Sequence, residues 1–366
     1  MSRGLILRHF STMHMQENNK QDFVIQFSND ERLKNNKIFD SKIDPNLSIY
    51  EKWKNLLSSR RINLNTPDLR QSEKVKMAIY MNIPYPWNLA DWMRILSCKN
   101  NVLFVVEPQM INPFNYSRLL QFFFKEVYTW DTDLACKGKY VHYNIAQSDY
   151  GLNTEVKRFK DKKLLTFVGG NKVLPLLFHL LVKFRLFRGR ELYGERLKAL
   201  DYFEKNIPDD FAFYGKGWDK PKKFIIKERI LGFRKYKTYK GMVDNKIETI
   251  SNYKFCLCFE NATGMKGYIT EKIFDCLKAK CIPIYWGATD IEKYIPKDCF
   301  IDFRDFDGYD DLVLFLKSMK EEDYNRRINN IERLLLNQEF MSTWFEDGWV
   351  ENFSKKLGIL HNDSIY

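Results

Sequence analysis

Residues 253–287 read YKFCLCFENATGMKGYITEKIFDCLKAKCIPIYWG, and the folding of this stretch decides the architecture of the chain. The runs YKFCLCF and CIPIYWG are mostly apolar and end in polar or glycine-containing turns, the pattern of buried parallel strands. Between them, EKIFDCLKAK sets Ile273, Phe274 and Leu277 on one helical side. Strand, helix and strand in this order predict a parallel sheet with a crossover helix. The loop FENATGMKGYITEK (259–272) carries more chemistry than a turn requires. Thr270 stands where it can cap the helix, so the first helical N–H groups point into the loop and favour an anion. Lys272 in the first turn is disfavoured by the helix dipole unless an anion meets it. Gly264 and Gly267 allow close backbone approach. Together these features predict a phosphate site, with Asn261 and Glu271 able to bond sugar hydroxyls and Tyr268 able to stack or donate. The alternative is a solvated loop whose Glu-Lys pair only aids solubility.

The same alternation extends outward. KLLTFVGGNK (163–172) reads as a strand and glycine turn, ELYGERLKALDYFEK (191–205) as a helix, and DFAFYGKGWD (210–219) as a strand and turn. An earlier series is visible in KVKMAIYMNIPYPW (74–87) and NVLFVVEPQMINPF (101–114), each an apolar run followed by a proline-containing turn. Residues 1–70 do not parse beyond short runs such as FVIQF. The charged stretch KRFKDKK (157–163) places a domain boundary near Asp161, giving domains of 1–161 and 162–339, with a tail from about 340 to 366 available to pack back on the first.

With 366 residues, 45% of them hydrophobic and 16% aromatic, the chain can bury a sizeable core, which excludes a disordered protein. The 59 Lys and Arg against 47 Asp and Glu give a net charge of +12 and point to an anionic partner. Nucleic acid is disfavoured, because the basic residues are spread along the chain without a helix-turn-helix or RNA-recognition signature. Seven cysteines without zinc spacing and five scattered histidines predict free thiols, no structural metal and a reducing compartment. Sequons occur at Asn46, Asn115, Asn261 and Asn362; a glycan on Asn261 would obstruct the loop, which favours a cytoplasmic location. The opening MSRGLILRHFSTMHMQ has arginines and no acid, but has too few apolar residues for a secretory signal. No window has the ~18 uninterrupted apolar residues of a membrane span. Residues 173–190, VLPLLFHLLVKFRLFRGR, are apolar and basic without an acid. They read equally as an interfacial helix with Lys183, Arg185, Arg188 and Arg190 among anionic headgroups, or as a core helix with basic residues at its end.

Residues 253–306 resemble the donor-binding block of glycosyltransferase family 10, the α-1,3/1,4-fucosyltransferases, and the motifs from 162 onward follow the same order. The resemblance implies an α/β fold of GT-B type, two Rossmann-like domains facing across a cleft, with donor GDP-fucose in the second domain and an acceptor oligosaccharide or glycoconjugate on the first. It also implies inversion at the fucose carbon, an α-1,3 or α-1,4 linkage to an N-acetylglucosamine or glucose unit of an acceptor glycan that stays open, and no required metal, a divalent cation being at most an enhancer. The family's donor residues fall on Arg196, Asn261, Tyr268, Glu271 and Lys272, and its general base on Glu107. Asp131-Thr132-Asp133 matches a metal-binding DxD in letters only and is expected to be structural. Where the family has glycine after the helix, this chain has Lys280. The resemblance leaves another GDP-sugar open as donor, and segment 173–190 keeps a peripheral membrane contact open.

Overall fold

The computed structural model describes residues 21–27, 31–69, 75–135, 137–172, 187–219 and 235–360. The first sheet contains β1 (Gln21–Phe27), β2 (Ile62–Asn65), β3 (Val75–Met81), β4 (Asn101–Val105), β5 (Glu126–Thr129) and β6 (Tyr140–His142). Its strands lie in the order β2-β1-β3-β4-β5-β6, every neighbouring pair parallel. The helices Leu89–Ser97 and Arg118–Gln121 cover one face around Ile95, Leu103 and Phe124. The helix Ser48–Ser59 covers the other, burying Trp53 and Leu57.

The second half contains β7 (Lys163–Val168), β8 (Arg190–Glu191), β9 (Phe211–Tyr214), β10 (Tyr253–Phe259), β11 (Ala262–Thr263), β12 (Ile282–Trp286) and β13 (Ile301–Asp302). Five of these form a parallel sheet in the order β13-β12-β10-β7-β9, while β8 and β11 make an antiparallel ribbon. The quoted stretch thus supplies two adjacent central strands and their crossover helix, Glu271–Lys278. That helix is enclosed almost all round: its Ile273, Phe274 and Leu277 are buried, and so are Asp275 and Lys278. The two buried charges survive by pairing, Lys278 at 3.2 Å and Lys246 at 2.7 Å from Asp275.

Just past this helix Lys280 adopts φ of 50°, the left-handed conformation for which glycine is preferred. The lysine therefore keeps the backbone geometry of a glycine position at a steric cost.

Helices Tyr309–Ser318, Glu321–Leu336 and Gln338–Trp344 complete the second core, whose last members are Trp344 and Phe345. From Trp349 onward the helix Glu346–Lys356 belongs to the first core. Trp53 donates through Nε1 to Ser354 at 2.8 Å and meets Phe353 edge-on, with ring centroids 5.4 Å apart. The chain end therefore ties the last helix to the first half. Among the described residues no helix is long and apolar enough to cross a membrane.

Candidate active site

A cavity of about 400 Å³ has walls from both halves: Val106, Glu107 and Ile145 from the first, and the ends of β7 and β9, the Tyr193–Asn206 helix and the 261–272 loop from the second. In an open parallel sheet the carboxyl ends of strands leave such a crevice. Glu107, Arg196, Asn261, Tyr268, Glu271 and Lys272, all selected from the sequence, line it.

Arg196 is buried on the first turn of its helix. Its Nε and Nη2 donate to the Phe259 carbonyl at 3.1 and 2.6 Å, and Nη2 also donates to Asn261 Oδ1 at 3.0 Å. Burial lowers its pKa, but a guanidinium has ample reserve and stays charged. Asn261 donates in turn through Nδ2 to the Tyr268 hydroxyl at 3.4 Å. Tyr268 is buried against Trp130 of the first half, ring centroids 4.7 Å apart. One hydrogen-bonded chain thus fixes the arginine, the asparagine and the tyrosine. A glycan on Asn261 would have to break it. Asn115 is likewise enclosed, whereas Asn46 is exposed.

The structure revises the role of Thr270. It occupies the N-cap position without a side-chain capping bond. Its N–H and hydroxyl donate instead to the two oxygens of Glu260, at 2.8 and 2.7 Å. Glu260 is fully buried, and Lys272 Nζ donates to it at 3.1 Å and to Thr270 Oγ1 at 2.9 Å. Glu271 lies 3.5 Å from the same ammonium. Lys272 is therefore not an unmatched charge: two carboxylates already balance it and hold its pKa up against burial. Burial pushes Glu271 upward, but Lys272 and Lys246 outweigh it and hold this carboxyl at about 2.

Glu107 follows β4, half-buried at the cleft. Its N–H and that of Val106 donate to Asn82 Oδ1, each at 2.9 Å, and Asn115 Nδ2 reaches the same oxygen at 2.7 Å. Asn82 sits at φ of 70°, a left-handed conformation that asparagine tolerates better than most residues. Burial raises the Glu107 pKa; the Lys272 and Lys172 charges oppose this in part, while Glu271 and Glu260 add to it. A carboxyl so placed is poised to take up a proton, and it faces the cations of the other half.

The Asp131-Thr132-Asp133 stretch serves the contact between halves. Arg188 spans the two carboxylates at 2.7 and 3.1 Å, and Lys266 pairs with Asp133 at 2.8 Å. Gly267 comes so close to the first half that a Cβ would lie 2.2 Å from the Trp130 carbonyl oxygen. Residues 173–186 of the apolar basic segment lie outside the described residues. At its described end, Arg188 holds these aspartates and Arg190 lies over the Trp286 ring, 5.0 Å from its centroid. Among the described residues no group of three or more His, Cys, Asp or Glu side chains could hold a metal.

Sequence reasoning assigned no role to three residues here. Glu260 precedes Asn261 at the end of a buried strand, which was its available signal. Lys172 closes the GGNK turn after β7, and Lys246 lines the cavity from a helix with no local mark of function.

Residues 226–329 match the family model for glycosyltransferase family 10 (fucosyltransferase) C-term. Among curated relatives, an α-(1,3)-fucosyltransferase of Helicobacter pylori is 36% identical over 34% of this chain and 26% of its own length. The mouse 4-galactosyl-N-acetylglucosaminide 3-α-L-fucosyltransferase 9 is 41% identical over 23% of each chain. The chain spans about a quarter of the length of the first relatives it matches. Solved structures extend the likeness over the whole fold. An α1,3-fucosyltransferase crystal structure superposes over 96% of this chain and 93% of its own, with a TM-score of 0.52 at 17% identity. The β-glucosyltransferase of T4 phage covers 92% and 99%, with a TM-score of 0.53 at 12% identity. The fold is α/β of GT-B type.

Proposed function

Because this chain carries a glycosyltransferase family 10 (fucosyltransferase) C-terminal domain, we propose that it is an inverting fucosyltransferase. It moves L-fucose from GDP-fucose to the 3- or 4-hydroxyl of an N-acetylglucosamine or glucose unit in an acceptor glycan. The observation that carries this reading is the convergence of a cation pair, Arg196 and Lys272, and a carboxyl group of raised pKa, Glu107, on one cavity from opposite halves. In this reading residues 162–339 hold the donor and residues 1–161, with the returning C-terminal helix, hold the acceptor.

The acceptor oxygen attacks the fucose anomeric carbon as the bond to the diphosphate oxygen breaks, and Glu107 receives the hydroxyl proton. Charge grows on GDP as it departs. Arg196 is preset to meet it, because two of its nitrogens are already fixed by Phe259 and Asn261. Lys272 has three acceptors in the free protein, so it must exchange one for a phosphate oxygen. Glu271 is the partner to release: it is the most distant at 3.5 Å and, at 46% exposure, the one that water can solvate. Once released, Glu271 is free to accept from a donor sugar hydroxyl. Asp131 and Asp133 are taken up by Arg188 and Lys266, which supports a reaction that does not depend on a cation held by them. A cytoplasmic location with peripheral membrane contact completes the reading.

Calorimetric titration of GDP into Arg196→Ala and Lys272→Ala tests the donor site. Hydrogen bonds to charged groups contribute roughly 1.5–3 kcal/mol each, so GDP affinity should weaken about ten- to a hundredfold in each variant. Unchanged affinity in both would remove this donor site. Transfer of label from GDP-fucose but not from other GDP-sugars, across an array of glycans, tests the donor and identifies the acceptor.

A further inference from the structure

The outer side of the first half carries an apolar surface that the cleft does not use. Trp87, Leu89, Met93, Leu96, Leu119 and Phe122 are each between 63% and 79% exposed. Isolated exposed apolar residues are ordinary, but contiguous ones mark contact surfaces. These are contiguous. Leu89, Met93 and Leu96 recur at helical spacing along the Leu89–Ser97 helix, whose inner side buries Asp91 and Ile95. That helix and the Arg118–Gln121 helix pack their inner sides on the same core cluster, so their outer sides form one surface. Trp92 meets Phe123 edge-on across the seam, ring centroids 5.7 Å apart, and Phe123 in turn meets Phe122 at 5.8 Å. Trp87 stacks on Tyr85 at 4.8 Å, which extends the surface to the turn before the first helix.

The exposed charges of the segments that form this surface, between residues 87 and 125, have one sign. Lys99, Arg118 and Lys125 are exposed on the segments that form it. Between residues 87 and 125 the only acids are Asp91 and Glu107. Asp91 is buried and paired with Arg94 at 2.9 Å, and Glu107 lies in the cleft. Leu89, Met93 and Leu96 on the first helix, Leu119 on the second, and Trp87 and Phe122 beside them, with Lys99, Arg118 and Lys125 as the exposed charges of the same segments, match the interfacial layer of an anionic bilayer in both polarity and charge. We propose that the outer face of helices Leu89–Ser97 and Arg118–Gln121, with Trp87, docks the protein on an anionic lipid bilayer. The apolar side chains enter the headgroup boundary, and Lys99, Arg118 and Lys125 face the lipid charges. This contact needs none of residues 173–190, and it stands apart from the fucosyl-transfer reading because none of its residues lines the cavity.

The test is sedimentation of the full-length protein with vesicles of phosphatidylglycerol and phosphatidylcholine, and with phosphatidylcholine alone. Wild type should pellet with the anionic vesicles at low salt and be released at high salt, since surface charge attraction is screened. Met93→Ser/Leu96→Ser/Phe122→Ser should weaken vesicle binding at least about tenfold. Lys99→Glu/Arg118→Glu should remove the preference for anionic over neutral vesicles. GDP titration of both variants should match wild type, which shows that they are folded and separates this surface from the donor site. Wild type that ignores anionic vesicles overturns the proposal. A triple serine variant that binds like wild type also overturns it and moves the contact elsewhere in the chain. A concentration-dependent dimer in wild type that the serine variant abolishes, without vesicle binding, assigns the face to a second copy and overturns it too.

Discussion

At the residue scale the proposed base is Glu107. A base acts only when ionised, and burial raises its pKa from an ordinary 4.5, so its activity should fall as pH drops through that raised value. The acidic limb of the kcat profile should therefore lie above the range of an exposed carboxylate. Glu107→Gln keeps size and shape but cannot take the proton, so kcat should drop by about 10²–10⁴ and the limb should vanish. GDP affinity should stay near wild type, because Glu107 belongs to the opposite wall from Arg196 and Lys272. A folded Gln variant within a few-fold of wild-type activity would move the base to another residue. The family resemblance pointed to Glu107 as base and to the candidate donor residues, but it did not show that Lys272 is matched in advance. Its matching carboxylate, Glu260, depends on Thr270 turning its hydroxyl away from the helix end. Local capping rules favour the opposite choice, and only the buried carboxylate overrides them.

At the scale of elements, legibility followed burial. β10 and β12 were readable because each is enclosed and so nearly continuous in apolar residues, and the helix between them because Ile273, Phe274 and Leu277 share one side. β1 was not. It is an inner strand of its sheet, yet its apolar stretch is interrupted by Asp22 and Gln26. Asp22 is buried there and accepts a hydrogen bond from Asn63 at 2.8 Å, a partner forty-odd residues away that no local pattern announces. The end of the Glu271–Lys278 helix allows a test of another element-level reading. Lys280 holds a left-handed backbone that costs an L-residue roughly 1–2 kcal/mol, and burial lowers the pKa of its ammonium. Lys280→Gly removes both penalties and loses the packing of the lysine stem, for a net stabilisation of about 1 kcal/mol. Thermal unfolding should shift upward by ~2–4 °C with GDP affinity unchanged. A lower melting temperature would mean that the stem packing outweighs the backbone cost.

The whole molecule is two cores joined by a chain that crosses between them twice. The first crossing follows β6, where the Gln147 N–H donates to the Trp344 carbonyl at 2.8 Å and Lys278 Nζ donates to the Ser148 carbonyl at 3.3 Å. The second is at Glu346, which accepts from the Asp149 N–H at 3.0 Å, so both crossings meet in one seam. Beyond it, Trp349 fills the first core. Its ring stacks on Phe353 at 4.1 Å, and its Nε1 donates to the Asn144 carbonyl at 2.9 Å. Trp349→Ala removes a large buried ring and should cost about 3–5 kcal/mol. The loss falls on the first core alone, because the second core is closed by Phe340, Trp344 and Phe345 against Phe274. Urea unfolding of the variant should therefore separate into two steps. The first half should melt at lower urea, while the second melts near its wild-type midpoint and retains GDP binding until then, since Arg196 and Lys272 both belong to it. Transfer activity should disappear with the first step, because the proposed base, Glu107, lies across the cleft. A single coincident transition shifted as a whole would show instead that the seam at Gln147, Asp149 and Glu346 couples the two cores into one cooperative unit.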